Sequence, residues 1–272
     1  MPSPADALKK YSAVVLTGGS SGIGKSFIEL FGKLRPDLPI CNLSRRAPNI
    51  NIPQLKLRHV GCDLTDPGEL ARGIAAIQVF LTKEAPPGAI LLINNSGFGL
   101  YGRFPDPGPA AQVAMIDLNV RAVVQLTAEL LPLLKARGGA VLTVASTAAF
   151  QPTPYLGVYG ATKAFVLNWS LALNEELRGT GVSTLALCPG PTSTEFFQRA
   201  GLKEGSVPNM FGETSEKVVR VAMEALAAGK PLVVSGWKNK LMTFMVGFVP
   251  KRPMAWMAGI ALRHFRMKQA QP

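Results

Sequence analysis

Tyr159 and Lys163 stand four residues apart in Val-Tyr-Gly-Ala-Thr-Lys-Ala, thirteen residues after Ser146. On a helix that spacing puts a phenol and an ammonium on one face. A phenol, with a reference pKa of about 10, exchanges protons poorly at neutral pH. A fixed cation nearby favours the phenolate and lowers that pKa. The pair is therefore a tunable acid or base, and the Ser146 hydroxyl can give a second hydrogen bond to the same substrate oxygen. Tyr11, Tyr101 and Tyr155 lack a Lys four residues on and are poor rivals for the role. Tyr-x-x-x-Lys arises often by chance, so its weight rests on the elements that would position it.

Those elements alternate. Residues 12–17 read as a buried strand, and residues 22–34 as a helix with Ile23, Phe27, Leu30 and Phe31 on one side. Further strands are expected at 39–44, 55–62, 89–94, 139–146, 182–188 and 231–235. Helices are expected at 66–82, at 117–136 despite Pro132, and at 158–178. Apolar strands between helices predict an α/β chain whose seven-stranded parallel sheet is buried on both faces. Right-handed crossovers make it a doubly wound, Rossmann-like layer structure. No linker, repeat or low-complexity segment interrupts the 272 residues, so one domain is expected, with a core at 12–235 and a helical extension at 236–272.

Between the first strand and its helix lies Thr17-Gly18-Gly19-Ser20-Ser21-Gly22-Ile23-Gly24. Strand, glycine turn and helix N-terminus together make an anion site. Free backbone N–H groups and the helix dipole face a pyrophosphate, and glycine allows it to approach closely. Ser20 and Ser21 read as turn or phosphate contacts. The second strand ends in Asn42-Leu43-Ser44-Arg45-Arg46. An acid there would grip the ribose 2′-hydroxyl of NAD. None is present, and two guanidiniums suit a 2′-phosphate, so NADP(H) is the expected cofactor.

These motifs, in this order, resemble the short-chain dehydrogenase/reductase family over about residues 12–235. The family's glycine motif matches Thr17 to Gly24. Its acidic residue after the third strand matches Asp63 in Cys-Asp-Leu-Thr, with Leu64 beside it, and the resemblance implies a contact to adenine. Its Asn-Asn-Ala-Gly motif appears as Asn94-Asn95-Ser96-Gly97, with Ser in place of Ala. Its helix asparagine matches Asn119, and its catalytic serine, tyrosine and lysine match Ser146, Tyr159 and Lys163. Its Pro-Gly turn matches Pro189-Gly190-Pro191-Thr192-Ser193-Thr194, which implies that Thr192 and Thr194 contact the nicotinamide carboxamide.

The resemblance implies an NADPH-dependent oxidoreductase that reduces a carbonyl or oxidises the corresponding alcohol. Tyr159 would give a proton to the carbonyl oxygen as hydride reaches its carbon. Lys163 would lower the Tyr159 pKa and bond the nicotinamide ribose, Ser146 would hold the carbonyl, and Asn119 would anchor a water leading to Lys163. A homodimer or homotetramer through the two long helices is implied as well. A cofactor-binding sensor or scaffold on the same fold, with little turnover, is the alternative.

Loops at 98–109, 148–156 and 195–214 are the expected substrate side. Phe98, Leu100, Phe104, Phe150, Tyr155, Phe196, Phe197, Met210 and Phe211 there suit an apolar 3-oxoacyl, steroid-like or aromatic ketone. Cys41, Cys62 and Cys188 each sit in or beside a strand-like run and fit no metal spacing, so no metal is expected and buried thiols in a reducing compartment are. His59 and His264 have no nucleophile or metal partner at recognisable spacing. The N-terminal residues carry no apolar stretch of the signal-peptide kind, and a cytoplasmic location is expected.

Net charge is +12, and no acidic residue follows Glu224, whereas Lys/Arg occupy 238, 240, 251, 252, 263, 266 and 268. Two readings of that tail stay open. It is a helical pair over the substrate cleft or against a subunit partner, or it is a basic amphipathic surface (residues 238–268) at the periphery of an anionic membrane. A nucleic-acid partner is not expected, because no binding module interleaves these cations with stacking aromatics.

Overall fold

The computed structural model describes residues 3–106, 108–192 and 212–266. Seven strands form one sheet: β1 (Tyr11–Thr17), β2 (Ile40–Ser44), β3 (Leu57–Gly61), β4 (Ala89–Asn94), β5 (Gly139–Val144), β6 (Val182–Cys188) and β7 (Leu232–Val234). Their spatial order is β3-β2-β1-β4-β5-β6-β7, with every neighbouring pair parallel. This is the expected doubly wound α/β sheet. The chain winds one way from β1 to β3 and the other way from β4 onward, so the strand order reverses between β1 and β4. Ligands in such sheets bind beyond the carboxyl ends of the strands at that reversal.

The helices are α1 (Pro4–Lys9), α2 (Gly22–Leu34), α3 (Pro67–Val79), α4 (Pro109–Ile116), α5 (Ala122–Arg137), α6 (Gly157–Glu176), α7 (Ser215–Ala227), α8 (Trp237–Val246) and α9 (Lys251–Arg266). Strand side chains alternate between two apolar layers. Val14, Leu16, Leu91 and Ile93 pack with Phe27 and Phe31 of α2 and Val218 and Met223 of α7. Ala13, Val15, Ile90 and Leu92 pack with Leu70 and Ile74 of α3 and Leu126 and Leu130 of α5. Each fully buried Leu, Ile or Phe contributes about 1.5–3 kcal/mol, which holds both helix layers against the sheet. The three cysteines are buried free thiols.

Several element boundaries differ from expectation. The long helix expected at 117–136 begins at Pro109 instead, and α4 runs into α5 through a π-helical turn at Asp117–Arg121. The helix expected at 66–82 becomes α3 followed by a second π-helical turn, Phe80–Glu84. Helices α1 and α7 lie outside the expected elements. A capping box starts α1, where Ser3 Oγ accepts from Asp6 N while Ser3 N donates to the Asp6 carboxylate. At α7 the Thr214 hydroxyl accepts from Lys217 N.

Candidate active site

A cavity of about 770 Å³ opens over the carboxyl ends of the central strands. Its floor is the glycine turn after β1. Gly18 has φ +75°, and a Cβ there would come within 2.7 Å of Ser96 Oγ. A Cβ at Gly24 would lie 2.2 Å from the Gly18 carbonyl oxygen, so α2 presses directly on the turn. Ser21 caps α2 without a side-chain hydrogen bond, which leaves the first-turn amides without that partner. Gly18, Ser20, Ser21, Gly22 and Ile23 line the cavity. An uncapped helix start behind a turn with no room for side chains fits a phosphate group.

Thr17 and Gly24 do not line the cavity; they build its frame. Thr17 Oγ1 accepts from Asn95 N and Ser96 N at 3.0 Å each. Asn95 Nδ2 donates to the carbonyl oxygens of Thr17 and Gly18 at 2.9 and 3.1 Å. The β4 loop is thereby tied to the glycine turn, and Asn95, Ser96 and Gly97 line the cavity from there. Buried Asn42 does the same from β2, where its Oδ1 accepts from Gly19 N at 2.8 Å.

At the end of β2, Ser44, Arg45 and Arg46 line the cavity together with Asp63, Leu64 and Thr65. Arg45 Nη1 lies 3.8 Å from Asp63 Oδ2, and its side chain is 70% exposed. Burial opposes the Asp63 charge, but hydrogen bonds from Thr65 N and Oγ1 and the Arg45 cation outweigh it and hold the carboxyl below its ordinary value. No carboxylate occupies the end of β2 itself, where Ser44 Oγ donates to the Arg46 carbonyl at 2.8 Å.

The other end of the cavity sits across β4, β5 and α6. Ser146, Tyr159 and Lys163 line the same cavity as the glycine turn. Ser146 follows β5, and its Oγ accepts from Ala148 N at 3.1 Å. Lys163 is fully enclosed; its Nζ donates to the Val144 carbonyl at 2.8 Å and stands 5.9 Å from the centre of the Tyr159 ring. Burial pulls its pKa down from 10.5 to about 8, with Cys188 acting weakly the other way.

Asn119 stands in the π-helical turn and is buried behind this group. Its Nδ2 donates to the Phe98 carbonyl at 2.9 Å and to Thr162 Oγ1 at 3.0 Å, and its Oδ1 accepts from Phe98 N at 3.1 Å. A Cβ at Gly97 would come 3.0 Å from Asn119 Oδ1 and 3.2 Å from Lys163 Nζ. Glycine at 97 therefore leaves open the space beside both Asn119 Oδ1 and Lys163 Nζ.

Pro189, Gly190 and Thr192 complete the wall, and Thr192 Oγ1 donates to the Gly190 carbonyl at 3.0 Å. Thr194 lies outside the described residues, as do Phe196, Phe197, Met210 and Phe211. The roof is made by the extension. Asn239 and Met242 of α8 and Ala258, Ala261 and Leu262 of α9 line the cavity. Tyr101 Oη donates to the Leu262 carbonyl at 3.2 Å and fastens the roof to the loop after β4. Asn239 packs so closely on Gly190 that a Cβ there would come 2.2 Å from Asn239 Nδ2. Its Oδ1 is buried with no partner among the described residues.

The apolar lining differs from expectation. Of the described loop aromatics only Phe98 reaches the cavity. Phe104 is 79% exposed, Phe150 packs beside Val166 and Ala145, and Tyr155 stacks obliquely on Tyr101 with ring centres 5.9 Å apart. Leu118, Leu156, Met242 and Leu262 do what those aromatics were expected to do. A ring in a loop can pack in any direction, so composition identified an apolar wall but not its residues. Glycine at 190 beside an amide on α8 had no signal in the local sequence.

Fold and cavity together define an oxidoreductase built on a dinucleotide-binding sheet, and comparison with known proteins names the family. The family model for short chain dehydrogenases matches residues 12–205, and the chain belongs to that family. Serine 3-dehydrogenase of Agrobacterium fabrum is 31% identical over 214 residues, covering 73% of this chain and 79% of that protein. An uncharacterized oxidoreductase of Bacillus subtilis, DltE, is 30% identical over 236 residues, covering 80% and 86%. Among solved structures, a short-chain dehydrogenase from Sphingobium yanoikuyae in complex with NADPH superposes with a TM-score of 0.71 at 26% identity, covering 89% of this chain and 98% of that one. A 7β-hydroxysteroid dehydrogenase at 23% identity shares the fold, with a TM-score of 0.75 over 92% of this chain and 98% of its own.

Proposed function

We propose that this chain is an NADP(H)-dependent reductase of apolar ketones, acting in the direction of the alcohol or its reverse. The observation that carries the reading is the meeting of Ser146, Tyr159 and Lys163 with the glycine turn and Arg45–Arg46 in one cavity. Bound NADPH would supply the hydride, and the residues fit it: the tight turn and the α2 amides suit a pyrophosphate, and two guanidiniums without a carboxylate at the end of β2 suit a 2′-phosphate. Asp63 and Leu64 would border the adenine, and Pro189, Gly190 and Thr192 the nicotinamide. The NADPH complex of the Sphingobium relative supports this choice.

The chain's own residues then divide the work. Tyr159 holds a proton at its phenolic oxygen and delivers it to the substrate carbonyl oxygen. Ser146 keeps its hydroxyl hydrogen for that same oxygen, because its own acceptor contact is to Ala148 N. Lys163, held by Val144, adjusts the Tyr159 pKa and would bond the ribose of the cofactor. Asn119 fixes the loop at Phe98 and would anchor the water that leads to Lys163. A proton-donating set of this kind has no use in a pure sensor or scaffold.

The substrate is an apolar ketone of 3-oxoacyl, steroid-like or aromatic type, because Phe98, Leu118, Leu156, Met242, Ala258 and Leu262 bound the free end of the cavity. A cytoplasmic homodimer or homotetramer through the two long helices, α5 with the α4 segment that leads into it and α6, is part of the same reading: Val113 and Ile116 of α4 and Phe165 of α6 stand exposed there. NADPH oxidation over a panel of ketones of graded size, with Tyr159→Phe as control, tests the proposal. Turnover confined to bulky apolar ketones is expected. No oxidation across the panel, or undiminished oxidation by the variant, would overturn it.

A further inference from the structure

The two helices that roof the cavity have a second face. Among the described residues, fourteen large apolar side chains stand exposed, and eight of them lie in or just after the roof helices: Trp237, Leu241, Phe244, Met245, Phe248, Trp256, Met257 and Ile260. Scattered exposed apolar groups are ordinary; a concentration of this size on neighbouring elements is not.

Their order is helical on both elements. On α8, Leu241, Phe244, Met245 and Phe248 follow the i, i+3, i+4, i+7 pattern and face outward, with Phe244 and Phe248 edge-on at 5.0 Å. On the inward side Asn239, Thr243 and Val246 are buried and Met242 meets the cavity. On α9, Met254 and Ala258 turn inward while Trp256, Met257 and Ile260 turn out. Met254, Met257 and Ile260 stand at helical spacing in the sequence, and the fold divides them between two faces.

Charge selects what covers this face. Lys240, Lys251, Arg252 and Arg263 are exposed around it, and none forms an ion pair with a described residue. Lys238 lies 5.6 Å over the Trp237 ring. No acidic residue follows Glu224. A second copy of the same face would bring these cations against their own images. An anionic bilayer accepts both parts, the apolar ridge among the acyl chains and the cations at the headgroups. No helix among the described residues is long and apolar enough to cross a membrane, so the contact is with one leaflet.

We infer that the outer face of α8 and α9 docks on an anionic phospholipid surface and that the cavity beneath it receives its ketone from that leaflet. The docking half stands on exposure and charge alone; the delivery half rests on the reductase reading. Trp and Phe sit at the ridge as interfacial anchors, and Met242, Ala258 and Leu262 carry the apolar path through the roof.

Flotation of the full chain with vesicles separates the two halves, because it requires no turnover. Vesicles of phosphatidylcholine with about one third phosphatidylglycerol are compared with phosphatidylcholine alone, and the emission of Trp237 and Trp256 is followed. Binding to the anionic vesicles with a blue shift is expected. Phe244→Glu with Phe248→Glu is expected to abolish binding. Lys251→Gln with Arg252→Gln lowers the partition by more than about tenfold, since each cation near such a surface contributes about fivefold. That second variant carries the test if the first fails to fold. No binding to anionic vesicles, equal binding to both lipid types, or an oligomer that Phe244→Glu with Phe248→Glu dissociates would each overturn docking. Docking without faster turnover of a membrane-dissolved ketone, in an enzyme active on a water-soluble one, would overturn delivery alone.

Discussion

The floor and the roof of the cavity are built by different means. The floor is fixed by backbone: Gly18, Gly24 and Gly97 sit where a Cβ would meet another group at 2.7, 2.2 and 3.0 Å, and Asn42 and Asn95 tie the strand-end loops together through main-chain atoms. The roof is pinned at its base, where Asn239 Nδ2 donates to the Ser235 carbonyl and packs on Gly190; beyond that point apolar contact and the Tyr101–Leu262 hydrogen bond hold it, and its Gly259 has a Cβ site at an ordinary 3.5 Å from Pro154. A floor of this kind holds one rigid group in one place. A roof of this kind adapts to the size of whatever lies under it. The difference suits a fixed cofactor below a variable substrate.

The largest test removes the chemistry and leaves both surfaces intact. Tyr159→Phe is expected to cut turnover by about a thousandfold or more while NADPH affinity changes only a few-fold, measured by steady-state kinetics and by titration of the cofactor. Undiminished turnover would mean that the proton comes from elsewhere. Next comes the floor's selectivity. Arg45→Ala with Arg46→Ala is expected to raise the KM for NADPH about a hundredfold and to leave NADH nearly unchanged, because only the phosphate loses its charged partners. Equal losses for both nucleotides would show that the arginines shape the loop instead.

A matched pair of glycine substitutions breaks the comparison directly. In Gly24→Ala the new methyl meets a carbonyl oxygen of the turn, and a loss of about 2 kcal/mol with weakened NADPH binding is expected in denaturant melts. Gly259→Ala has space and a helical backbone, and a gain of up to about 1 kcal/mol is expected. Two losses of similar size would mean that the roof is as tightly specified as the floor. On the roof's inner face, Ala258→Leu is expected to raise the KM for the bulkiest ketones about tenfold, leaving small ketones and NADPH unaffected.

The same contrast explains what was legible in the sequence. The strands read correctly because Val14, Leu16, Ile90 and Leu92 sit in runs buried on both faces, and such runs leave no ambiguity of side. The glycine turn read as a cradle because its strand and helix stood on either side of it. The start of α4 did not, since residues 109–116 follow directly on the loop at 98–109 and showed no separate helical period; the turn at Asp117–Arg121 read as ordinary helix, and its π-helical form, where Asn119 bonds the Phe98 carbonyl and Arg121 the Thr65 carbonyl, goes with contacts that local spacing does not show. Spacing showed that the tail is amphipathic, yet it could not say which face meets the protein. That depends on where α9 lands against Tyr101 and Pro154, more than a hundred residues earlier in the chain.

The smallest expected effect tests how the two regions treat positive charge. The roof keeps its cations in water, whereas Lys163 is enclosed and its pKa is lowered to about 8 by burial. An unfolded lysine near 10.5 binds its proton more tightly than this folded one, so the charged side chain costs stability at pH 7. Lys163→Met removes that cost, of a few kcal/mol, and forfeits the hydrogen bond to the Val144 carbonyl, which leaves a net gain of about 1 kcal/mol. Between pH 8 and 10.5 the unfolded wild type holds more protons than the folded one, and wild-type stability rises with pH across that window. The advantage of the variant is therefore expected to shrink there, read as the difference in Tm between the two cofactor-free proteins. A difference that stays flat from pH 7 to 10.5 would mean that the ammonium is hydrated in solution, and the enclosed cation beside Tyr159 would lose its physical basis.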